Sequence, residues 1–150
     1  MTFSKRIISL MLLVFMIVAS FSVSAHATNE DLTLSGTTRH PDAYYSDVAS
    51  KDDTSTHYVY IHTSNATYTF VDSVGVHSDG TRGYRCTMSD GDFAVSVSLR
   101  TGVKYNVHNL IYEHGFRKVQ LECRALYTSM TQYITGEWSA DSVGSYNVAT

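Results

Sequence analysis

The chain has 150 residues, with eleven Lys/Arg against fourteen Asp/Glu and a net charge of −3. That length suits one domain. A mildly acidic chain without a Lys/Arg cluster does not suit nucleic acid or an anionic lipid surface as a partner.

The first residues read as a targeting segment. Lys5 and Arg6 form a basic start, Ile7 to Val18 is apolar, and Ala25-His26-Ala27 places small residues where a signal peptidase reads them. This layout predicts a secretory signal peptide over 1–27, cleaved between Ala27 and Thr28. Ser20, Ser22 and Ser24 interrupt the apolar run, which falls short of the roughly 20 residues that a spanning helix needs. Residues 28–150 are then expected as a single secreted, extracellular domain whose only membrane contact is the signal before cleavage. Removing Lys5 and Arg6 from the eleven basic residues leaves nine against fourteen acidic ones, a net charge of −5.

In the exported part, Leu32 and Leu34 alternate with polar residues and allow a short first strand. His40-Pro41 turns the chain away from helix at residue 40, and Pro41 to Val48 could form one helical turn. Ser50 to Ser55 reads as an exposed loop. Thr56 to Thr63 is the first clear strand, with Tyr58, Tyr60 and His62 on one face and Val59 and Ile61 on the other. After the turn Ser64-Asn65-Ala66, the segment Thr67 to Val76 should return with Tyr68, Phe70, Val74 and Val76 on one side, and Asp72 as the odd member. Tyr84 and Cys86 share a face in a short strand, and Asp90-Gly91 is a turn signal.

The strongest pattern runs from Phe93 to Ala125. Phe93, Val95, Val97 and Leu99 alternate with smaller or polar residues, as do Val103, Tyr105 and Val107, and then Val119, Leu121, Cys123 and Ala125. Period two with β-branched and aromatic residues means half-buried antiparallel strands. Met130 to Trp138 alternates again, and Trp138 is the one tryptophan. Seven or eight short strands without a helical period predict an all-β, antiparallel two-sheet β-sandwich, with a small β-barrel as the alternative.

Cys86 and Cys123 are the only cysteines. In an oxidising compartment the pair predicts one disulfide, which the chain-entropy model values at about 4 kcal/mol. Two buried free thiols are the alternative.

Catalytic and metal motifs are missing. His57 and His62 lie five apart on a strand and project from opposite faces. No H-x-H, H-E-x-x-H or C-x-x-C occurs, and Asp90-Gly91-Asp92 and Asp52-Asp53 lack a full calcium loop. There is no G-x-S-x-G elbow, and neither cysteine has an activating context. No catalytic residue, metal or cofactor is therefore expected. Tyrosine is the one excess, with eleven residues. It suits both strands and binding surfaces, and Tyr58 and Tyr60 are the expected members of any surface patch.

Two motifs stand near the C-terminus: Asn109-Leu110-Ile111-Tyr112-Glu113-His114-Gly115-Phe116, then Gly136-Glu137-Trp138-Ser139-Ala140-Asp141-Ser142-Val143. Together they resemble a loose group of small exported proteins of Gram-positive bacteria. In that group a strand ends in Glu-x-Gly-aromatic and Gly-x-Trp-Ser-x-Asp-Ser-Val follows. Ala140 stands where that pattern has proline. The resemblance implies a Gram-positive source, secretion and no established activity. Read from the residues, both motifs close the fold: Gly115 permits a reversal, and Asp141 and Ser142 can bond nearby backbone amides.

The expected function is thus a secreted, non-catalytic module that binds a cell-envelope protein or carbohydrate. A bacteriocin-like antagonistic protein, or its companion, is one alternative. A small secreted hydrolase with a site around Ser139, Ser142 or a free cysteine is the other.

Overall fold

The computed structural model describes residues 31–93, 95–125, 130–142 and 144–150. The expected signal segment and its cleavage point at Ala27 and Thr28 lie outside them. In chain order the strands are β1 (Leu32–Arg39), β2 (Tyr44–Tyr45), β3 (Ala49–Ser50), β4 (His57–Ser64), β5 (Tyr68–Val76), β6 (Arg82–Arg85) and β7 (Met88–Ser89). They continue as β8 (Asp92–Phe93), β9 (Val97–Arg100), β10 (Lys104–Val107), β11 (Lys118–Ala125), β12 (Thr131–Ser139) and β13 (Asn147–Val148). Eight of them have four residues or more, the number expected from the alternation.

Two sheets and one hairpin account for these strands. The first sheet has the order β1-β12-β4-β10-β13. The second has the order β2-β11-β5-β6, with β3 also on the β2 side of β11 and β9 also on the β6 side of β5. Neither sheet closes on itself, so the fold is an antiparallel sandwich and not a barrel; among the described residues, β10 and β13 alone pair in parallel. The short β7–β8 hairpin turns through Asp90 and Gly91, both at positive φ, as the Asp-Gly signal predicts.

One core lies between the sheets. Leu34, Val59, Ile61, Val107, Ile134 and Trp138 face it from the first sheet, and Val71, Val97, Leu99, Val119, Leu121 and Cys123 from the second. The register explains this division, because directly paired residues share a face. Trp138 sits between Leu32 and Val59, while Leu121 pairs with Ser73 and Cys123 with Val71. The register shift in β12 falls between Thr135 and Gly136, where a side chain on Gly136 would strike the Tyr60 carbonyl. Gly115, with φ +84°, makes the reversal before β11, and Phe116 then packs into the core.

Three expectations are corrected. Pro41 to Val48 holds no helical turn: the chain pairs there as β2 against β11. Phe93 and Val95 are 44% and 41% exposed, because the hairpin ends at Phe93 and only Val97 and Leu99 enter the core. In β5 the core face is Thr69, Val71 and Ser73, and Tyr68 is 40% exposed.

The Cys86–Cys123 disulfide is also corrected, since both cysteines are free and buried. Cys123 pairs with Val71 on one side of β5, and the Cys86 amide bonds the Ser73 carbonyl on the other. Two strand spacings alone separate them by at least about 9–10 Å, beyond the roughly 7 Å that a disulfide spans. Burial pushes the Cys86 thiol up to about 11 and the Cys123 thiol up to about 12, so neither is a ready nucleophile. A thiol reagent should therefore label nothing in the folded protein and two groups after denaturation without reductant. Absence of label in the denatured chain would restore the bridge.

Candidate binding surface

At the expected patch, Tyr58 is covered by its neighbours. Tyr58 and Tyr60 both project from the outer face of β4. Tyr58 is only 6% exposed. Its hydroxyl donates to Glu137 Oε1 at 2.7 Å, and its ring lies 4.9 Å from that of Tyr146. The Lys104 ammonium lies between 5.3 and 5.9 Å from the rings of Tyr58, Tyr60 and Tyr146. Burial, then the Glu137 contact, raises the Tyr58 pKa. The cavity left beside these groups is about 120 Å³, below the roughly 300 Å³ at which small-molecule sites begin.

A more open surface lies on the second sheet, and the alternation did not single it out. Glu122 of β11 is directly opposite Asp72 of β5. Like charges in that register repel, and arginines neutralise them. Arg85 forks onto Glu122 with Nε–Oε2 at 3.0 Å and Nη2–Oε1 at 2.5 Å. Arg124 Nη2 donates to Asp72 Oδ2 at 2.7 Å, and Ser96 and Thr87 donate to the same carboxylate. Asp72 is fully buried beneath this network, whereas Arg85 remains 40% exposed. Beside it the Arg82 guanidinium lies 3.6 Å from the Tyr45 ring centroid.

Aromatic rings border that network at the β6 edge. Tyr84 is 50% exposed, and its ring centroid is 6.5 Å from that of Phe93. Phe93 stacks on His114 at 5.1 Å and 6°, and the Tyr84 hydroxyl bonds His114 Nδ1 at 2.7 Å. An open groove of about 550 Å³ runs past Tyr45, Arg82, Tyr84, Arg85, Phe93 and Glu122. The one available signal was Phe93 standing two residues after the Asp90-Gly91 turn, where the hairpin carries it away from the core.

A second polar cluster is internal. Lys51, expected in an exposed loop, is fully buried, as is Asp141. Lys51 Nζ lies 2.5 Å from Asp141 Oδ1 and donates to the Ser55 carbonyl at 2.6 Å. Ser55 Oγ is 3.2 Å from both Nζ and Asp141 Oδ1, and the Asp52 amide donates to Asp141 Oδ2 at 3.2 Å. Asp141 therefore binds a distant loop instead of its own turn.

Nearby, His57 is buried with its Nδ1 2.6 Å from the Ala140 carbonyl. Ser139 donates to the Asp141 carbonyl, and Ser142 donates to Asn106. Both hydroxyls thus serve the turn after β12. His62, on the opposite face of β4 from His57, lies 3.6 Å from Glu137.

Among the described residues, no group of three His, Cys, Asp or Glu side chains could hold a metal ion, and no helix is long and apolar enough to cross a membrane. No curated protein and no solved structure matches the chain. Residues 20–142 match the model of DUF2712, a family described as a protein of unknown function, and the chain belongs to that family.

Proposed function

We propose that this chain is a secreted, non-catalytic β-sandwich of a Gram-positive bacterium that binds a cell-envelope polysaccharide through the outer groove of its second sheet. One observation carries the reading: Tyr84 and Phe93 stand half-exposed beside a groove lined by Arg82, Arg85 and Glu122. Exposed rings adjoining polar groups mark interaction surfaces more often than isolated apolar residues do. A sugar ring offers an apolar C–H face for such rings and hydroxyls for arginine and carboxylate. The fork between Arg85 and Glu122 holds both groups in place, so little ordering entropy is lost on binding.

The experiment is retention of the purified mature protein on envelope polysaccharide and, separately, on envelope protein fractions. The polysaccharide should retain the protein, and Tyr84→Ala with Phe93→Ala should weaken retention by about tenfold or more. Retention by the protein fraction alone would replace carbohydrate with a protein partner. Retention by neither, at micromolar concentration, would remove the binding role.

A further inference from the structure

We propose that Lys51 and Asp141 condense after folding into an intramolecular isopeptide bond, with loss of one water molecule. The two residues are 90 positions apart, both heads are fully buried, and Nζ lies 2.5 Å from Oδ1. A buried ion pair recovers little net stability after desolvation. Holding an amine against a carboxyl group in a dry site is, however, the arrangement that turns a slow bimolecular condensation into a fast intramolecular one.

Each further part of the step has a group in place. The Ser55 carbonyl orients the amine at 2.6 Å, and is itself held by Asn109 Nδ2 at 3.3 Å. The Asp52 amide at Asp141 Oδ2 can stabilise negative charge developing on that oxygen. The Ser55 hydroxyl, 3.2 Å from both Nζ and Oδ1, joins the attacking nitrogen to the departing oxygen. Asp53 Oδ1 lies 3.7 Å from Nζ and accepts the Ser55 amide at 2.7 Å, so a second carboxylate borders the amine.

The atoms balance without an oxidant or cofactor. A proton passes from the ammonium to the Asp141 carboxylate, leaving a neutral amine and a carboxylic acid. The Nζ lone pair adds to Cγ and forms the C–N bond, with the charge on Oδ2 facing the Asp52 amide. The Ser55 hydroxyl then relays a proton from nitrogen to Oδ1. The Cγ–Oδ1 bond breaks, and Oδ1 leaves as water carrying two of the three ammonium protons. The third stays on the new amide, facing the Ser55 carbonyl. Lys51 directly follows β3 of the second sheet, and Asp141 follows β12 of the first. The bond would be a staple between the sheets.

Mass spectrometry of the intact, denatured and reduced protein tests this. The purified chain should weigh one water less than its sequence, and digestion should yield a branched peptide joining the segments that contain Lys51 and Asp141. Dehydration of Asp141-Ser142 to a cyclic imide loses the same mass without a branch, so only the branched peptide supports the bond. Lys51→Arg should show the full mass. Ser55→Ala, which keeps both partners, should form the bond about tenfold or more slowly. A folded wild-type protein of full sequence mass, or water loss without the branch, would overturn the proposal.

Discussion

Trp138→Ala is expected to lower the unfolding free energy by about 3–5 kcal/mol, the range for removing a large buried aromatic side chain. Trp138 heads the fully buried side chains, and it occupies β12 between β1 and β4, in register with Leu32 and Val59. The edge of the His57 ring meets it at 6.0 Å and 90°. Its indole Nε1 has no hydrogen-bond partner among the described residues, so the loss is one of packing and transfer and not of a polar contact. The cavity would open where three strands of the first sheet face the second, and strands cannot close over it without breaking their ladders. Chemical denaturation should show a lower midpoint with an unchanged slope. Tyr133→Ala removes another aromatic from the same strand, but Tyr133 is 59% exposed. Its effect should stay within about 0.5 kcal/mol. Equal effects for the two substitutions would show that Trp138 does not anchor the core.

That contrast between neighbours on β12 was legible in the alternation. The same holds for β4 and β11, where Val59 and Ile61, and then Val119, Leu121 and Cys123, all face inward. Alternation works where one face is apolar and the other solvated. It failed on β5 because both faces are covered. Asp72 lies beneath Arg85 and Arg124 on the outside, while Thr69 and Ser73 take inward positions that look polar in sequence. Apolar Tyr68 and Phe70 then pointed to the wrong side.

The cysteine count suggested a bond, but only the strand order shows β5 standing between the two thiols. Lys51 carries no local signature at all. A lysine in a polar segment reads as solvated, and its burial depends on a carboxylate 90 residues away. Parity places Tyr58 and Tyr60 on one face of β4, yet it does not disclose that Lys104 and Tyr146 cover Tyr58 there. The Tyr84–Phe93–His114 cluster joins three turns and strands that only the tertiary fold brings together.

Acidification from pH 7 to pH 5 should cost the fold about 2 kcal/mol through His57 alone. Burial lowers the His57 pKa from 6.5 to about 3, with the Lys51 charge adding to it before the amide forms, against the smaller opposing effect of the Ala140 carbonyl. The unfolded chain therefore binds the imidazole proton below about pH 6.5, whereas the folded chain refuses it until about pH 3. Between those values the unfolded state holds more protons, so stability rises with pH. The contribution is complete above the unfolded pKa and is lost progressively as pH falls towards the folded one. At pH 5 the gap from the unfolded value is about 1.5 pH units, which corresponds to about 2 kcal/mol. The loss grows as the pH falls further. His57→Asn keeps a short donor near the Ala140 carbonyl but cannot take a proton. It should be less stable at pH 7, because the edge contact with Trp138 is gone. The discriminating quantity is the slope: denaturation midpoints at pH 7, 6 and 5 should fall steeply for the wild type and much less for His57→Asn. Parallel slopes would mean that His57 is charged in the fold, with its Nε2, which has no partner among the described residues, facing water or an acid.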